Sequence, residues 1–155
     1  MKSIFLQTAE HHLAAGACTE CLNDLPDFIR KHTDWNYLCV QTDTGCVLKP
    51  VFRNMPYCNS FVPEIDVVVS RDDTRTVLHL QGQPVKAVRV FMAFWFSFLL
   101  VMEVFIVILA ITSNLDSLFP LFIPLAMCAF GYLLCKLATK ATFNSVVKAI
   151  KKEFY

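Results

Sequence analysis

Glycine is scarce, with four in 155 residues. Phosphate-cradling loops depend on glycines that let backbone N–H groups approach a ligand; no such loop, and no G-x-S-x-G or H-E-x-x-H motif, occurs in the chain. Charge is scarce as well. Charged residues make up 17% of the sequence and nearly cancel to a net +1, which excludes the basic footprint of a general nucleic-acid binder. There is no internal repeat and no low-complexity run, and the stretch Met1 to Ala17 lacks the apolar core of a cleavable signal peptide. These absences leave no enzyme motif to build on.

Apolar residues are abundant instead, at 55% of the chain, and they are unevenly spread. Val88 to Thr112 carries only Arg89 and Glu103 as charged groups, and Leu118 to Leu137 has none until Lys136. A bilayer core takes about 20 apolar residues in a helix, so both runs read as transmembrane spans. Ser113 to Ser117 joins them, too short for anything but a hairpin loop. Pro120 falls in the first turn of the second span, where it is tolerated, and Pro124 lies deep enough to kink it. Lys136 sits where its ammonium reaches the headgroups.

Arg71, Arg75, Lys86 and Arg89 precede the first span, and Lys136, Lys140, Lys148, Lys151 and Lys152 follow the second, while the loop has no lysine or arginine. By the positive-inside rule both termini are cytoplasmic. The expected setting is an inner or plasma membrane, with the chain crossing it twice.

Residues 1–87 read as a soluble α+β domain. Ser3 to Thr8 is a candidate first strand, and Cys21 to Lys31 places Leu22, Leu25, Phe28 and Ile29 at helical spacing, with Pro26 limiting how early that helix begins. From Trp35 the period becomes two: Tyr37 to Thr42, a turn at Asp43-Thr44-Gly45, then Cys46 to Arg53. Ile65 to Ser70 and Arg75 to Gln81 flank a second turn, and Gly82-Gln83-Pro84 is the candidate boundary before the membrane. Residues 138–155 form a basic amphipathic helix, with Phe143, Val146, Val147, Ile150 and Phe154 on one face and Lys140, Lys148, Lys151 and Lys152 around it. It either covers the sheet of the N-terminal domain or lies on the anionic cytoplasmic leaflet. The predicted fold class is thus a membrane α+β protein: an antiparallel-sheet domain with one helix, a transmembrane hairpin (88–112 and 118–137) and an amphipathic C-terminal helix.

The segment Asn59-Ser60-Phe61-Val62-Pro63 with strands around it, followed by Val85 to Trp95 entering a span, resembles small uncharacterised bacterial two-span proteins over roughly Trp35 to Trp95. The resemblance implies a strand-rich domain tethered to a membrane hairpin, and no activity, cofactor or site residue.

Glu103 is the outstanding single residue. It lies about 22 Å along its helix from Val88, and a carboxylate at that depth costs on the order of 3 kcal/mol, which favours protonation or a partner. In an antiparallel hairpin its depth matches about Met127 to Cys128, and a neutral Glu103 hydrogen-bonded to the Tyr132 hydroxyl or to a backbone carbonyl is expected, against the alternative of a proton or cation site. Pro124, Cys128, Gly131 and Cys135 form a small-residue stripe that lets a backbone approach closely, either the first span of the same chain or another copy in a homo-oligomer. Two helices enclose no pore, so conduction through Glu103 requires that oligomer.

Cys18 and Cys21 have C-x2-C spacing just after His11 and His12, so a zinc or thiol site can be drawn there, although no second ligand pair accompanies it. Cys39, Cys46 and Cys58 fit no ligand spacing. In a cytoplasmic domain all of these are expected to be free thiols and no cofactor is required. Function as read from sequence is therefore binding or regulation by a membrane-anchored domain with a cytoplasmic protein partner; the alternatives are a transport component using Glu103 and a zinc or thiol site at Cys18 and Cys21.

Overall fold

A computed structural model describes residues 5–13, 22–52, 61–72, 75–112 and 119–153. In chain order the elements are β1 (Gln7–Leu13), α1 (Leu25–His32), β2 (Tyr37–Thr42), β3 (Gly45–Pro50), β4 (Pro63–Asp72), β5 (Arg75–Pro84), α2 (Lys86–Thr112) and α3 (Phe119–Glu153). They fall into two compact units, one of Met1–Val85 with Ala138–Tyr155, the other of Lys86–Leu137.

The first unit is built on an antiparallel sheet in the order β1-β5-β4-β3-β2. Strands β2 to β5 follow one another as a meander, and β1 returns to pair with β5, Glu10 opposite His79 and His11 opposite Leu78. Alternation along each strand separates two faces. One carries Tyr37, Cys46, Leu48, Ile65, Val67, Leu78 and Leu80, all buried in a single core with Leu25 and Ile29 of α1 and Phe143, Val146, Val147 and Ile150 of α3. The C-terminal helix therefore covers the sheet, and its apolar face is spent there rather than on lipid. On the other face Leu38, Val40 and Val68 are exposed, Val40 opposite Val47, and His79 meets Glu10 at 3.3 Å.

Local chemistry sets the element ends. Helix α1 starts at Leu25 with Pro26 in its opening turn, where a missing N–H costs nothing. It stops where Thr33 turns extended, and the Thr33 hydroxyl donates to the Ile29 carbonyl at 2.7 Å. Tyr37 donates a buried hydrogen bond to the Pro63 carbonyl at 3.1 Å, tying β2 to the start of β4 beneath β3. Gly82 is the floor under a ring: a Cβ there would lie 2.3 Å from Phe143 Cδ2.

The structure corrects four expectations. The first strand is Gln7–Leu13 rather than Ser3 to Thr8, because pairing with β5 recruits it. Gly82-Gln83-Pro84 is no linker but the end of β5, opposite Ile65, Glu64 and Pro63, which leaves Val85 alone before α2. The turn between β2 and β3 has two residues, Asp43 and Thr44, with Gly45 already paired to Thr42. The second apolar run and the C-terminal helix are one helix of 35 residues, about 52 Å long, with Pro124 inside it. The loop Ser113 to Ser117 and residues Asn59 and Ser60 lie outside the described residues.

Candidate functional site

The unit Lys86–Leu137 exposes mostly large apolar side chains. Helix α2 is apolar around its whole circumference: Val90, Phe91, Phe94, Leu100, Val101, Val104, Phe105, Ile108 and Ile111 are all exposed, Phe94 by 68% and Ile111 by 73%. On α3 the same holds for Phe122, Ile123, Leu125, Phe130, Leu133 and Leu137, and large exposed apolar side chains stop at Leu137. Beyond it, Phe143, Val146 and Ile150 are buried on the sheet while Lys140, Asn144, Lys148 and Lys152 face outward. One helix thus changes its apolar pattern from a full circumference to a single stripe near Ala138.

The two helices meet at small residues. A Cβ on Gly131 would stand 3.7 Å from Trp95 Nε1 and 3.9 Å from Met92 Cε, so the glycine lets the Trp95 indole lie against α3. Trp95 in turn stacks with Phe91 at 6.3 Å between centroids. Pro124 and Cys135 are buried and Cys128 half-buried, in keeping with a seam along this side of α3. Packing within one chain accounts for the Gly131 part of the stripe.

That contact also fixes the hairpin's register. Gly131 faces Met92 to Trp95, so Glu103 lies eight to eleven residues further along α2, about 12–16 Å from the level of Gly131 and further still from that of Tyr132. The expected Glu103–Tyr132 hydrogen bond is excluded by this offset. Tyr132 instead accepts from Lys136 Nζ at 3.3 Å, and the same ammonium sits 5.4 Å from its ring centroid, an arrangement of residues one turn apart on α3. Glu103 Oε2 is shielded from solvent and has no hydrogen-bond partner among the described residues.

Of the histidine–cysteine constellation, only the histidines lie among the described residues. His11 and His12 are successive residues of β1 and point to opposite faces: His11 is buried over the core and His12 is exposed. One ion cannot take both. Burial, with help from the Lys151 and His12 charges, holds the His11 imidazole below its ordinary pKa. Cys18 and Cys21 lie outside the described residues, and among the described residues no three histidine, cysteine or acidic side chains group as a metal site.

A pair that spacing alone does not suggest comes together on the sheet. Cys39 on β2 and Cys46 on β3 share the core-facing side, offset by two residues, since Cys39 pairs with Leu48 and Cys46 with Gln41. Their thiols share a hydrogen bond, and burial together with that bond pushes the Cys46 thiol up to about 12.

An α+β unit together with two helices long and apolar enough to cross a membrane defines the class of this chain. Comparison with protein-family models, with curated proteins and with solved structures finds no match.

Proposed function

We propose that the chain is an integral membrane protein whose α2/α3 hairpin anchors an α+β domain on the cytoplasmic face of an inner or plasma membrane, and that this domain binds or regulates a cytoplasmic protein. The observation that carries the reading is the exposed apolar surface around both helices, which is costly in water and at home in lipid. A second feature bears on topology. Strands before the hairpin and helical residues after it share one core, so both flanks belong on the same side of any bilayer and the helices cross it out and back. The lysine and arginine bias then selects the cytoplasmic side. The domain's bare sheet face, with Leu38 and Val40 on the edge strand, offers area for a partner.

The test combines two measurements. Membranes from expressing cells are extracted with alkaline carbonate, and tags at Met1 and after Tyr155 are exposed to protease before and after permeabilisation. Retention in the pellet and protection of both tags until permeabilisation are expected. Release by carbonate would end the membrane reading; digestion in intact cells would reverse the orientation.

The shielded, unpartnered Glu103 Oε2 favours one other reading, a transport component in which several copies bring Glu103 together. Proton or cation flux into liposomes that is lost in Glu103→Gln would support it. Equal flux in both proteins would remove it.

A further inference from the structure

We propose that Cys39 and Cys46 form a reversible thiol–disulfide site, oxidised by a hydroperoxide and bridging the edge strand β2 to β3. Three features of the sheet lead here. The two thiols face the same side of adjacent strands, diagonal by two residues, and interact through a side-chain hydrogen bond. They differ in access: Cys46 is 1% exposed, whereas Cys39 is half-buried on the outermost strand. And among the described residues β2 pairs with β3 alone, with the Tyr37–Pro63 hydrogen bond as its tie to β4.

Access assigns the roles. The Cys39 thiolate attacks the peroxide's near oxygen, the O–O bond breaks, and Cys39 becomes a sulfenic acid while the leaving oxygen departs as hydroxide or alkoxide and takes a proton. The Cys46 sulfur then attacks the Cys39 sulfur, the S–O bond breaks, and the Cys46 thiol proton leaves with the hydroxyl as water. Two thiol sulfurs are oxidised and one peroxide is reduced. The product is neutral, so the burial that disfavours a Cys46 thiolate does not oppose the disulfide.

Geometry also makes the bond labile. Diagonal neighbours on antiparallel strands stand about 7–8 Å apart at Cα, beyond the roughly 4.4–6.8 Å a disulfide accepts, so closure draws β2 along β3. An edge strand can make that shift without disturbing a second ladder. Strained disulfides are the readily reduced ones, which suits a switch rather than a staple.

The experiment uses the full chain in detergent micelles, reduced and then treated with hydrogen peroxide, blocked with an alkylating reagent and mapped by peptide mass. A Cys39–Cys46 disulfide reversed by reduced glutathione is expected in the wild type, where no variant has to fold. Cys46→Ser should leave Cys39 as a sulfenic acid that dimedone captures, and Cys39→Ser should leave Cys46 as an unmodified thiol. Both cysteines still alkylated after peroxide, or either one bridged to a different cysteine, would overturn the proposal.

Discussion

Two side chains of the sheet domain show how single residues set its stability. His11 is buried over the core with the Lys151 ammonium acting on it, and its imidazole is held below the ordinary value of 6.5. The unfolded chain therefore takes up a proton near 6.5 that the folded chain refuses. Stability is full above that pH and is lost as pH falls toward the lower folded value. Thermal unfolding followed through this range should show a falling midpoint, and His11→Leu should flatten the profile. Gly82 tests packing in the same core. A Cβ at that position falls inside the Phe143 ring, so Gly82→Val should destabilise the domain by about 1–3 kcal/mol in a denaturant titration, through displacement of the ring. The thiol pair shows how narrowly a contact can escape a reading of sequence. A three-residue turn at Asp43-Thr44-Gly45 would set Thr42 opposite Cys46 and put Cys46 on the face of Val40, away from Cys39. The observed two-residue turn moves the register by one and brings both thiols to the core side.

At the scale of elements, α3 carries two different apolar patterns along its length, exposed side chains up to Leu137 and a sheet-facing stripe beyond. Periodicity identifies each half well: a run without charge before Lys136, a stripe at Phe143, Val146, Val147 and Ile150 after it. What the pattern does not reveal is continuity, since Ala138 to Ala141 contains no breaker but also no stripe long enough to join the halves. Strand β1 escapes for another reason. Its central core-facing residues include Ala9 and His11, weakly apolar, and its place comes from the partner strand rather than from its own propensity. The hairpin's register is hidden too, because apolar helices all round carry no phase; only the Gly131–Trp95 contact sets it. The distal half of α3 is the sheet's cover, and Val146 is fully buried in it. Val146→Asp should destabilise the sheet domain by more than about 3 kcal/mol while leaving carbonate-resistant membrane association intact.

For the whole molecule, the strongest constraint is that the sheet domain is made from two stretches of chain with the hairpin between them. Truncation after Leu137 retains both apolar helices but removes Phe143, Val146, Val147 and Ile150 from the core. Such a chain should still enter membranes, yet its N-terminal 85 residues should become sensitive to protease where the full chain resists. Equal resistance in both would mean that α1 alone suffices as a cover. The arrangement also bears on synthesis. Because a ribosome delivers the chain from its N-terminus, all five strands and both apolar helices emerge before the residues that close the core. The sheet's apolar face stays open until residues 143–150 have followed both apolar helices out. Completion of the domain thereby waits for the helical pair between its two parts, so a chain stalled before Phe143 carries an unfinished core.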